Sequence, residues 1–152
     1  MLHLITNWLH EHKYNTFLLQ SHQTWIHVLC ALENLMFVNA LAIEFSSNNN
    51  NLKFLIELLT NQNLVTNKTA ERVALIICVI ARHRNTRIYL LSTGIRRLII
   101  HLFDKWEESG HLPRNFERST MRKLSIVVGM CCNCETVTTN GSHIGGYSNS
   151  FT

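Results

Sequence analysis

The sequence predicts an all-α fold built from stacked helices, and three observations carry that prediction. The 152 residues include one proline and six glycines, and three of the glycines fall in the last twelve residues. A body so poor in turn formers favours helices over a many-stranded sheet. Apolar residues recur at three- and four-residue steps through most of the chain. The helices also repeat: Leu35 and Val79, Phe54 and Leu98, Leu55 and Ile99, Leu58 and Leu102, and Leu59 and Phe103 each stand 44 residues apart.

Taken in order, residues 2–19 read as helical. Residues 22–37 form a helix capped by Ser21, with Trp25, Ile26, Leu29, Leu32, Leu35 and Met36 on one broad apolar face. Residues 39–46 form a short helix carrying Leu41, Ile43 and Phe45. The asparagine run 48–51 reads as a loop, because Asn side chains compete for nearby backbone groups. Residues 52–60 turn Phe54, Leu55, Leu58 and Leu59 inward, and the polar stretch 61–67 connects onward. Thr69 is the expected N-cap of a helix over 70–83, whose almost wholly apolar core, Val73 to Ala81, demands burial on most sides.

A short helix over 85–91 ends at Gly94, which suits a corner. Residues 95–107 are strongly amphipathic, with Leu98, Ile99, Leu102, Phe103 and Trp106 on one side. Residues 109–115 form a loop around Gly110 and Pro113. Residues 117–130 form the last long helix, turning Met121, Leu124, Val127 and Val128 inward. The organisation expected is an N-terminal helical segment (1–20), a helical-repeat body (21–134) and a disordered tail (135–152) too poor in apolar residues to pack.

The order short, medium, long helix, then the same again, resembles the armadillo repeat. Leu91 to Ile99 (LSTGIRRLI) is similar to the corner glycine leading into an armadillo second helix. Ala31 to Leu35 (ALENL) is similar to the end of a third helix, where an asparagine lines the concave groove. The resemblance implies a short right-handed solenoid, with 39–83 and 86–130 as repeats and 22–37 as the last helix of a preceding one. Because one triplet cannot cover its own apolar face, neighbours stack into a continuous core. The sequence departs from the family at the position of Asn34, which falls on Cys78 in the next repeat and near Val128 or Gly129 in the last. A ladder of groove asparagines is therefore missing, and with it the backbone clamping of extended peptides seen in the nuclear-import branch.

A narrower resemblance, over Ala74 to Trp106, is to the carboxy-terminal armadillo-like region of rotatin-like proteins, large centriole- and cilium-associated scaffolds. It rests on LIICVIARHRNTRIYLL and GIRRLIIHLF. It implies a cytoplasmic protein at the centrosome, centriole or cilium base with centriolar partners, of which this chain is a part.

Chemistry-bearing patterns are sparse. There is no P-loop, no G-x-S-x-G, no G-x-G-x-x-G and no HExxH, so neither an enzyme nor a cofactor is implied. Glu33 and Glu57 read as helix-flank carboxylates and not as an acid–base pair. The nine histidines read as surface or boundary residues. Cys131, Cys132 and Cys134 lack the second ligand pair of a structural zinc site, and Cys131 reads as the apolar end of a helix. No run approaches the roughly 20 apolar residues that span a bilayer. Five cysteines without a secretory signal read as reduced intracellular thiols.

Charge is the remaining lead. Residues 1–67 carry two lysines against four glutamates, whereas residues 68–123 carry 12 lysines and arginines against five acids, a balance of +7. Much of that is the ordinary solvated face of amphipathic helices. Arg82, Arg84, Arg87, Arg96 and Arg97 nevertheless gather around one corner, where guanidinium forks can meet carboxylates. Only Tyr89 lies among them, and single-stranded nucleic acid needs stacking aromatics. The reading is thus a non-catalytic protein-binding scaffold with Asn34 and this arginine set as its contacts, an acidic protein as partner, and RNA or another polyanion as the alternative.

Overall fold

A computed structural model describes residues 1–12, 22–60 and 66–139, and among them every regular element is helical. The elements are α1 (Leu2–His12), α2 (His22–Met36), α3 (Asn39–Ser47), α4 (Asn49–Thr60), α5 (Asn67–Arg82), a single 3-10 turn (Arg84–Thr86), α6 (Arg87–Ser92), α7 (Ile95–Ser109) and α8 (Arg118–Thr139). The expectations for 13–21, for the 61–65 connection and for the tail from 140 lie outside the described residues.

The core centres on α5. Its most extensive contacts are with α2 on one side and α8 on the other, and α4 packs against it as well. The apolar run predicted this: Val73, Ala74, Ile76, Ile77, Val79, Ile80 and Ala81 are all buried. Ala70, Ala74 and Ala81 leave room for neighbouring helices to approach closely, while the isoleucines fill the space between.

Helices α2, α5 and α8 bury the same pattern. In α2 it is Trp25, Leu29, Leu32 and Met36; in α5, Thr69, Val73, Ile76 and Ile80; in α8, Thr120, Leu124, Val127 and Cys131. Each quartet runs in steps of four, three and four, the spacing of one helix face. Between α2 and α5 the offset is the expected 44 residues (25 to 69), but between α5 and α8 it is 51 (69 to 120). Part of the extra length lies in α7, which has 15 residues where α4 has 12. This longer offset is why a 44-residue alignment blurs in the last helix.

Three boundaries differ from the sequence expectation. The run 48–51 is not a loop: Asn49–Asn51 form the first turn of α4. Asn48 Oδ1 accepts the Asn50 N–H at 3.1 Å, so a turn-forming side chain starts the helix. Asn51 is buried, because its amide donates to Phe45 O and its carbonyl accepts from His10 Nε2 of α1. The N-cap of α5 is Thr66, whose hydroxyl accepts the Thr69 N–H. Finally, α8 continues through Thr139 instead of ending at Met130, so the CCNC run lies within a helix and 135–139 are not tail.

Polar contacts fix the corners. Successive helices α2 and α3 meet at a bend of 115°. The last three carbonyls of α5 are answered: Ile80 by His83 N–H and the Thr86 hydroxyl, Ala81 by Arg87 Nε at 2.8 Å, and Arg82 by the other arm of Arg87. His83 reaches across to the previous corner, donating from Nε2 to Met36 O at 2.7 Å. Gly94 (φ 76°) and Gly110 (φ 72°) bracket α7 in the left-handed conformation that glycine adopts without strain. At the N-terminal end, Trp8 meets Trp25 edge-on at 5.5 Å and His10 lies 5.2 Å from Phe54, seating α1 on α2 and α4.

Urea denaturation separates these roles. Ile76→Ala is expected to cost about 2–5 kcal/mol, because it opens a cavity at the centre. Arg87→Ala should cost about 1–3 kcal/mol by orphaning buried-end carbonyls. Arg84→Ala, on an exposed side chain, should stay within about 0.5 kcal/mol. Equal losses for all three would contradict this account of the core and corner.

Candidate binding surface of the long helices

The sequence-predicted arginines divide on the structure. Arg82 and Arg84 are exposed at the end of α5, flanking His83. Arg87 is half-buried and acts as the cap just described, so its guanidinium is committed to backbone carbonyls. Arg96 and Arg97 begin α7, beyond the Gly94 corner; Arg97 is exposed and Arg96 half-buried. Tyr89, the aromatic among them, is half-buried against the core. Asn34 is exposed on α2, and its counterparts along the long helices are Cys78 (34 to 78) and Gly129 (78 to 129). Cys78 is only 3% exposed. Burial pushes its thiol pKa up, with Arg82 pulling the other way, so it is a packing residue and not a reactive thiolate.

A different feature, missed by the sequence reading, lies where α2, α5 and α8 come together. A cleft of about 400 Å³ is lined by Ile26 of α2, by Lys68, Glu71, Arg72 and Leu75 of α5, and by Lys123 of α8. Two ion pairs cross it. Arg72 bonds Glu33 of α2, and Lys123 bonds Glu71 at 3.0 Å. Ser119 of α8 donates to the same Glu71 oxygen at 2.9 Å. Arg72 and Lys123 occupy matching positions (72 plus 51 is 123), and each reaches back to a glutamate on the preceding long helix. Lys68, on the first turn of α5, is exposed and makes no ion pair among the described residues.

These contacts set the local electrostatics. Hydrogen bonds from Lys123 and then Ser119 lower the Glu71 carboxyl pKa against the opposing effect of desolvation. The hydrogen bond that Arg72 donates to Glu33 raises that of its guanidinium. The pairs are partly solvated: the side chains of Glu71 and Arg72 are 39% and 32% exposed, that of Glu33 only 14%. They therefore orient the cations more than they stabilise the fold.

A second cleft of similar size, between α1 and α4, is lined by His10, Asn48, Asn50, Lys53, Phe54 and Glu57 and has no charge bias. Among the described residues, no group of three or more His, Cys, Asp or Glu is placed to hold a metal ion, and no single helix is long and apolar enough to cross a membrane. No protein family, curated protein or solved structure matches the chain.

The Glu71 shift has a signed consequence. A carboxylate whose pKa is lower in the folded state contributes stability above its unfolded value and loses it as pH falls through the folded one. Thermal melts should therefore show a stability contribution from Glu71 present above about pH 4.5, the ordinary value, and lost below it. Glu71→Gln should flatten that part of the profile, and added salt should shrink the difference. A variant profile parallel to the wild type in this range would rule out the Lys123–Glu71 contact.

Proposed function

We propose that this chain is a non-catalytic protein-binding scaffold of armadillo-like helix triplets. On this reading α3, α4 and α5 form one repeat. The 3-10 turn with α6, then α7 and α8, form the next, and α1 and α2 are the last two helices of a preceding one. The observation that carries it is the recurrence of one buried quartet on α2, α5 and α8, with α5 lying between the other two. A row of like helices offers a repeating outer face, and repeated helical units of this kind present extended binding surfaces. The exposed contacts of that surface are Asn34, Arg82, Arg84 and Arg97, together with the cleft over α5.

Selection of displayed random peptides on the immobilised chain tests the reading. Enriched peptides should bind reversibly, with backbone-amide shifts confined to the α2–α5–α8 face or to the Arg82–Arg84 corner. Their affinity should fall only modestly as salt is raised, because a peptide that meets a few cations releases few counterions. Failure to enrich any peptide would remove the scaffold reading. Binding confined to RNA, with a steep loss on adding salt, would replace it with the polyanion module.

The rotatin-like resemblance adds a place, the centriole or cilium base within the cytoplasm. A fluorescently tagged chain expressed in ciliated cells is expected to concentrate with a centriole marker. A uniform cytosolic signal would remove the rotatin-like part and leave the scaffold.

A further inference from the structure

We infer that the cleft where α2, α5 and α8 meet is a binding site for an extended acidic peptide whose carboxylates stand three residues apart. The inference rests on the scaffold reading and deepens it by naming the chemistry of the partner.

The charge of the cleft favours an anion. Three cations, Lys68, Arg72 and Lys123, line it with one carboxylate, Glu71, and Glu33 stands behind Arg72. Lys68 has no ion-pair partner among the described residues. Lys123 gives one N–H to Glu71 and Arg72 one to Glu33. An ammonium has three donors and a guanidinium five, so both retain donors for a ligand. Because the glutamates already orient these cations, a ligand carboxylate would meet them with little ordering left to do. Arg118 and Arg122, exposed on α8, extend the positive field beyond the cleft.

Geometry then selects the form of the anion. Arg72 and Lys123 repeat at matching positions on neighbouring helices, and packed helix axes lie about 8–10 Å apart. A chain in the polyproline II conformation rises about 3.1 Å per residue with three residues per turn, so side chains three apart point the same way about 9 Å apart. Glutamates or aspartates at that interval would address successive helices. Ile26 and Leu75, half-buried and apolar, offer a floor for an aliphatic side chain between them. Glu71 and Glu33, set among the cations, disfavour a continuous polyanion. A phosphate chain would bring negative charge against Glu71, whereas spaced carboxylates pass on either side of it.

Two synthetic peptides of identical composition test this, one with glutamates at every third position among alanine and leucine, the other with its glutamates contiguous. Titrated calorimetrically into the whole chain, the spaced peptide should bind about tenfold tighter or more, the effect of one added charge-assisted hydrogen bond. Lys68→Glu, on an exposed side chain, should weaken binding of the spaced peptide about tenfold or more while leaving the far-UV circular dichroism unchanged. Lys105→Glu, exposed on α7, should leave that binding intact. Equal binding of the two peptides, indifference to Lys68→Glu, or a tighter and Lys68-dependent binding of a single-stranded RNA oligonucleotide would each overturn the inference. If peptides from the display selection bind but map elsewhere while the spaced peptide does not bind, the cleft assignment fails and the scaffold stands. If neither binds, both fail.

Discussion

Everything in this structure depends on covering α5. An isolated helix whose middle is Val73 to Ala81 has no face to give to water. The chain answers by packing α2, α8 and α4 against it. That requirement fixes the order of the long helices, and the short helices follow as the means of returning the chain to the next long one. The polar corner chemistry is secondary but specific. Thr86 and Arg87 answer the last carbonyls of α5, and His83 ties that corner to the one before it.

The surface features inherit the same arrangement. Because α5 packs against both α2 and α8, the matching positions 72 and 123 place cations on two neighbouring helices. Each finds a glutamate on the preceding helix, at 33 and at 71. The cleft is thus set by the packing of α2 and α8 on α5 and made polar by the residues that line it. The arginine corner is different in kind: Arg87 serves the backbone, which leaves Arg82, Arg84 and Arg97 as its outward charges.

Much of the fold was legible because burial is written in local spacing. Trp25, Leu29, Leu32 and Met36 announce a helix face without any knowledge of what covers it, and Val73 to Ala81 announces a central helix. The asparagine run was misread because Asn at a helix start and Asn in a loop use the same hydrogen bond. Only the distant partners of Asn51, on α1 and at Phe45, distinguish the two. The end of α8 was misplaced because Gly129 and the polar residues after Cys132 weaken the periodic signal without breaking the helix. The cleft was not legible at all. Its ion pairs join residues 39 and 52 apart in sequence, and nothing in either local pattern names the other member.

The position of α5 fixes the unit of folding. Counted by sequence, the chain divides neatly after Arg82. Counted by burial, that division gives α5 to one piece and strips it of α8, leaving both pieces with an uncovered apolar wall. The chain therefore cannot be cut after Arg82 without exposing apolar surface on both sides of the cut. Its cooperativity belongs to the one helix that two neighbours share.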